Sequence, residues 1–267
     1  MSAEIRSAVV SALLCVGCFT SCTSPNPHRL GELTIEPIGK DAILGHVEID
    51  DQGELQSFAQ LERVLEAIRA ESSRQPILLL VFVHGWNNNA SENPERGGGN
   101  LASFRSILSE LEEAQSTFSK GRKPFGVFVS WRGRTLKNFS FFPDYYHRQS
   151  AARRVGGIAG AEVFHALGSA AKSRPANRVI MVGHSFGGLV LESAITEAWA
   201  GRIAEKHAAE RALEAGDMPA DLVVTINAAE TGLVARQMVT TLVNRGVGVK
   251  GVDAGTRQPP WMVSVTS

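Results

Sequence analysis

Residues 178–191 read R-V-I-M-V-G-H-S-F-G-G-L-V-L. The run that opens this stretch is too short and too β-branched for a helix, so it predicts a buried strand. Beyond the glycines, Leu189, Val190, Ala194, Ile195 and Ala198 recur at helical spacing as far as about Trp199. A strand must therefore become a helix within a few residues, with Ser185 at the tip of the turn. A serine hydroxyl is a poor nucleophile unless it is held exposed, beside a base, with donors waiting for an oxyanion. A sharp strand-to-helix turn does this but crowds its own backbone. Small residues two before and two after the serine, here Gly183 and Gly187, relieve the crowding. In a chain with 26 glycines the G-x-S-x-G spacing alone is weak. The bland reading is a glycine-rich turn with an idle serine, and the flanking strand and helix argue against it.

On these residues the chain resembles the α/β-hydrolase superfamily of serine esterases and lipases. A second stretch extends the resemblance. Ile77 to His84, I-L-L-L-V-F-V-H, is an unbroken apolar run, as in a strand buried on both faces of a parallel sheet. It ends in His84-Gly85-Trp86-Asn87-Asn88-Asn89, which resembles the His-Gly-x loop of that superfamily. The resemblance implies an oxyanion hole made by the N–H groups of Trp86 and Phe186. It assigns Gly183, His184 and Gly187 to the structure of the elbow, and His84 and Gly85 to the structure of the loop.

The 267 residues suit one large domain. With 43% hydrophobic residues, 20% charged residues and a net charge of +0, nothing points to nucleic acid or to an acidic partner. Cys15, Cys18 and Cys22 are the three cysteines, so the body of the domain has no disulfide. Residues 1–24 read as an export signal: Arg6 gives a positive start, and Ala8 to Thr20 is apolar but short for a membrane span. Phe19-Thr20-Ser21-Cys22 resembles a bacterial lipobox, with Cys22 as the lipidated residue. Cys18 is the alternative, and an ordinary cleaved signal or an uncleaved anchor are the other readings. The expected location is the cell envelope, on the periplasmic or outer-membrane side, with the membrane reached through the lipid. Residues 25–32 read as a tether and 33–267 as the hydrolase domain.

Within that domain, Leu33–Ile38 and Ile43–Ile49 read as two short strands with Gly39–Asp41 as their turn. Ser57 and Gln60 form a capping box for a helix with Phe58, Leu61, Val64, Leu65 and Ile68 on one face. Residues 88–100 read as a linker loop near the site, with a lid as the alternative. They precede a helix over about 101–118 and a strand over 125–131. Residues 132–146 mix Arg132, Arg134 and Lys137 with aromatic residues and read as a loop over the substrate pocket. A long helix is expected over about 148–172; it carries Val155, Ile158, Phe164 and Leu167, and its glycines and alanines suggest close packing against the sheet. His46 and His165 read as structural. After the elbow come a solvated helix over 201–216 containing His207, a strand over 221–227, a helix over about 231–244 and a last strand over 261–267.

Strands alternating with helices predict an α/β fold with a doubly wound, mostly parallel sheet and helices on both faces. In the superfamily the order is serine, acid, histidine. His207 is the one histidine after Ser185 and precedes the next strand, a poor place for a base. Glu230, at the tip of that strand, is the candidate acid within the chain; its bland role is a carboxylate at a helix N-terminus. Asp253 precedes the last strand, at the wrong end for an acid. The expectation is therefore a serine hydrolase acting on an ester-like acyl substrate, truncated at its C-terminus and lacking the catalytic histidine. No metal or organic cofactor is implied. The alternative is a non-catalytic envelope protein that binds a ligand in a hydrolase-like pocket.

Overall fold

The computed structural model describes residues 28–93, 98–118, 121–133, 141–196, 218–229 and 261–266, together with Arg236 and Thr240. The export signal with Cys18 and Cys22, the helix with His207, Glu230, Asp253 and most of the 231–244 helix lie outside them. Seven strands form one sheet: β1 (Ile35–Ile38), β2 (Ala42–Glu48), β3 (Ile77–Val83), β4 (Lys123–Ser130), β5 (Arg178–His184), β6 (Leu222–Ile226) and β7 (Met262–Val265). Their spatial order is β1-β2-β4-β3-β5-β6-β7. β1 pairs antiparallel with β2, and every other pairing is parallel. The architecture is thus α/β, with a mostly parallel sheet.

β3 lies at the centre. Ile77, Leu79, Val81 and Val83 enter one core, while Leu80 and Phe82 join the other. Successive strand side chains point to opposite faces, so an unbroken apolar run is what burial on both faces requires. Helices α1 (Phe58–Arg74), α3 (Phe141–Val155), α4 (Ala161–Lys172) and α5 (Phe186–Ala194) contribute to the first core. Helix α2 (Gly99–Ser116) covers the second with Leu101, Phe104 and Leu108.

Several local expectations change. Residues 31–34 form a 3₁₀ turn, so β1 starts at Ile35. Ser57 caps α1, its Oγ accepting the Gln60 N–H at 3.3 Å. The Gln60 side chain does not return to Ser57; it reaches the Glu48 N–H and the Arg29 carbonyl instead. Phe58, the first residue of the helix, is 74% exposed rather than packed on the apolar face. Helix α3 begins at Phe141, inside the segment expected to be a loop. The long helix is broken by a π-turn at Gly156–Gly160, where Ile158 has φ −103° and ψ −105° and turns outward. There the Ala159 N–H goes to the Gly53 carbonyl at 2.9 Å rather than continuing an α-helical ladder.

Candidate active site

β2, β4, β3 and β5 run in one direction, so their C-terminal ends share an edge. Ser185 sits on that edge between β5 and α5. Its φ is +54° and its ψ −120°, a conformation that a residue with a side chain adopts only when its surroundings enforce it. Hydrogen bonds hold it there: its N–H donates to the Ile226 carbonyl at 2.9 Å. Its carbonyl accepts from the N–H groups of Gly188 at 3.0 Å and Ala229 at 3.2 Å. The flanking glycines are steric necessities. A Cβ on Gly183 would stand 2.4 Å from the Gly187 carbonyl oxygen, and one on Gly187 2.0 Å from that of Val83.

The structure brings the two sequence motifs together. Gly85 follows the end of β3 and packs directly on Ser185. His84 is fully buried, with its ring between Phe128 and Trp131 and 4° from parallel with Trp131. Its Nε2 meets the Trp131 N–H at 3.1 Å and the Ser130 Oγ at 3.1 Å, and its Nδ1 lies 2.9 Å from the Gly85 carbonyl oxygen. A backbone N–H can only donate and a carbonyl only accept, so the proton resides on Nδ1. Burial pushes the pKa of His84 down to about 4, which keeps the ring neutral. His84 therefore serves as a structural donor.

This donor orients the neighbouring peptide. No cis peptide occurs among the described residues, and in a trans peptide the C=O and N–H point in opposite directions. With the Gly85 carbonyl turned inward to His84, the Trp86 N–H is turned away from the core. Asn88 Nδ2 donates to the Trp86 carbonyl at 2.8 Å. Asn88 Oδ1 accepts the Asn100 N–H at 3.0 Å, and Asn100 Oδ1 accepts the Gly85 N–H at 3.4 Å. Asn87 and Asn88 also exchange backbone hydrogen bonds with Gly133, at 2.9 and 3.1 Å. The second expected donor, Phe186, opens α5, and the first N–H groups of a helix lack helical acceptors.

Sequence reasoning missed the support around this loop. Trp131 bonds His84 through both its backbone N–H and its indole Nε1, the latter to the His84 carbonyl at 3.0 Å. Arg148 is fully buried and ties Asp51 Oδ1 at 2.8 Å to the Arg132 carbonyl at 2.7 Å, next to Gly133. Tyr145, on α3, packs 4.9 Å from the Phe186 ring and edge-on to Trp86 at 6.1 Å. Only the position of Trp131, at the end of a strand, signalled any of this; the rest depends on contacts distant in sequence.

Four described histidines are engaged elsewhere: His46 with Glu36, His84 as above, His147 with Arg148 and His165 with Ser169. Burial lowers the pKa of His46, and its Nε2 contacts Glu36 at 3.0 Å, in keeping with a structural role. His184 is the last residue of β5, directly before Ser185. Glu230 lies outside the described residues, although its neighbour Ala229 donates to the Ser185 carbonyl. No known family model matches the chain, and no curated protein matches it.

Proposed function

We propose that the chain is a serine hydrolase of the α/β-hydrolase type, acting on an ester-like acyl substrate. The observation that carries this reading is the positive-φ turn at Ser185 pressed against Gly85. Such a turn is strained, and strain of this kind is retained where function needs it. The Ser185 Oγ attacks the acyl carbonyl carbon as its proton passes to a base. The carbonyl oxygen becomes an oxyanion held by the N–H groups of Phe186 and Trp86. Collapse of the tetrahedral species releases the alcohol with a proton and leaves an acyl-serine. Water then attacks that ester, and the acid departs as Ser185 regains its proton.

Within this reading His84 orients the Trp86 donor and is not the base, since its two ring nitrogens are committed and the ring is buried. Glu230 remains the candidate acid. The test is reaction of the protein, purified from its native host, with a fluorophosphonate probe. Labelling at Ser185 that disappears in Ser185→Ala is expected. A native protein that stays unlabelled, while a known serine esterase in the same tube reacts, defeats the reading.

A further inference from the structure

The chain enters the fold on the same edge as Ser185. The His28 N–H lies 3.0 and 2.9 Å from the two carboxylate oxygens of Glu48, and the Arg29 N–H donates to Oε1 at 2.7 Å. Glu48 is the last residue of β2 and is buried. Gln60 closes the clamp, its Nε2 donating to the Arg29 carbonyl at 2.8 Å and its Oε1 accepting the Glu48 N–H at 2.8 Å. Arg29 is itself buried. Its Nε donates to the Ala90 carbonyl at 3.0 Å, and its guanidinium pairs with Glu92. His28 and Arg29, inside the stretch expected to be a tether, are thus locked to the end of β2, and Arg29 also to the segment that follows the loop after β3.

Geometry then limits where a membrane anchor lets the domain sit. Glu48 and Ser185 end parallel strands three spacings apart, about 14 Å. The stretch from Cys22 to His28 spans at most about 20 Å. A lipid on Cys22 therefore holds the catalytic edge close to the bilayer. Exposed apolar side chains surround the entry point. Leu30 is 45% exposed and Leu33 55%, one and four residues after Arg29. Phe58, 74% exposed, opens α1 two residues before Gln60. Ile158 is also exposed and sits against Gly53, in the loop joining β2 to α1. Scattered apolar residues mean little, but a group of them around the point where an anchored chain enters is how a protein meets a lipid interface.

We propose that this edge of the sheet is a bilayer-docking surface, with Leu30, Leu33 and Phe58 entering the headgroup boundary and the Ser185 turn facing the membrane. The proposal rests on reading Cys22 as the anchored residue. With the hydrolase reading, it makes an acyl ester resident in the bilayer the substrate class. The body of the domain has no cysteine, so single cysteines report position cleanly. Leu33→Cys, Phe58→Cys and Phe118→Cys, in the full chain reconstituted into vesicles of phosphatidylethanolamine and phosphatidylglycerol, are labelled with an environment-sensitive fluorophore. The labelled parent chain serves as the blank. All three sites are exposed; Phe118 lies beyond the end of α2, which runs back from the Ser185 edge to the opposite one.

Blue-shifted emission, quenched several-fold more by doxyl lipids at 33 and 58 than at 118, is the expected result. Emission at 33 and 58 matching that at 118 overturns the docking surface, whether or not intact mass finds a lipid. Quenching at 33 and 58 on a chain without lipid supports the surface and removes only the anchor. The readout uses no catalysis, so an unreactive Ser185 would defeat the hydrolase reading alone.

Discussion

A Cβ added to Gly85 would stand 2.9 Å from the Cβ of Ser185 and 2.9 Å from the His184 carbonyl oxygen. The loop after β3 and the turn after β5 are in contact, and the proposed oxyanion hole requires that contact, because it takes one donor from each. Gly85→Ala must push the two apart. The reading predicts a loss of roughly tenfold or more in fluorophosphonate reactivity. The overall fold, followed by far-UV circular dichroism, is expected to persist. Full reactivity in Gly85→Ala would mean that the oxyanion donor does not come from this loop.

Gly187 gives a purely steric prediction. A Cβ there would meet the Val83 carbonyl at 2.0 Å, at the end of the central strand, so backbone meets backbone with no flexible side chain to give way. Gly31 is the control: its φ is +63°, but open space surrounds it. Gly31→Ala should cost about 1–2 kcal/mol, the penalty of a left-handed L residue. Gly187→Ala should cost clearly more, as overpacking against backbone does. Thermal unfolding of the two variants checks the order, and equal losses would contradict the packing described for the elbow.

How much of this was legible in the sequence depends on the range of the contact. β3, β5 and the turn at Ser185 could be read because an unbroken apolar run and G-x-S-x-G are local signals. The exposure of Phe58 could not, because helical spacing marks a face and does not say where along the helix its packing begins. The break at Gly156–Gly160 depends on a bond from Ala159 to Gly53, more than a hundred residues away. Glu48 and Arg29 looked like ordinary polar residues. Their burial follows from partners 19 and 61 residues distant, which no periodicity encodes.

His84 fixes a pH dependence with a definite sign. Its folded pKa is lowered from 6.5 to about 4, so the folded state disfavours the proton. Between those values the unfolded chain binds more protons than the folded one. Stability is therefore complete above about pH 6.5 and is lost as the pH falls toward 4. For this fully buried ring the loss is on the order of 3 kcal/mol. His46, whose pKa is also lowered, adds to it in the same direction. His84→Gln should be less stable at pH 7 and show a flatter pH dependence from 6.5 to 4 in urea titrations. An unchanged slope would show that the ring titrates normally.

Arg148 and Asp51 form a buried ion pair; Arg148 also donates to the Arg132 carbonyl and contacts His147 Nδ1, and Asp51 lies 3.8 Å from the Arg132 guanidinium. Arg148→Met leaves a half-buried carboxylate beside the loop that supports Asn87 and Asn88. Removing one partner of such a pair typically costs about 3–5 kcal/mol. Asp51→Asn combined with Arg148→Met should recover part of that loss, since no charge is then stranded. A double-mutant cycle by urea unfolding measures the coupling. A cycle that closes additively would place the cost in packing alone.

Glu230 is where the catalytic reading is most exposed to refutation. The chain reaches this residue directly from Ala229, whose N–H is bonded to the Ser185 carbonyl. A triad acid orients and charges its base, so Glu230→Gln in that role should slow probe labelling by roughly a thousandfold or more. Substrate binding would change little, and a base with altered tautomer should distort the pH profile. A carboxylate that merely favours a helix N-terminus behaves differently, because its loss costs about 0.3–1 kcal/mol of stability and leaves the labelling rate intact. The rate and the unfolding midpoint of one variant therefore separate the two roles. A normal rate with a small loss of stability would move the search for the acid to another carboxylate while leaving the roles of Ser185, Phe186 and Trp86 untouched.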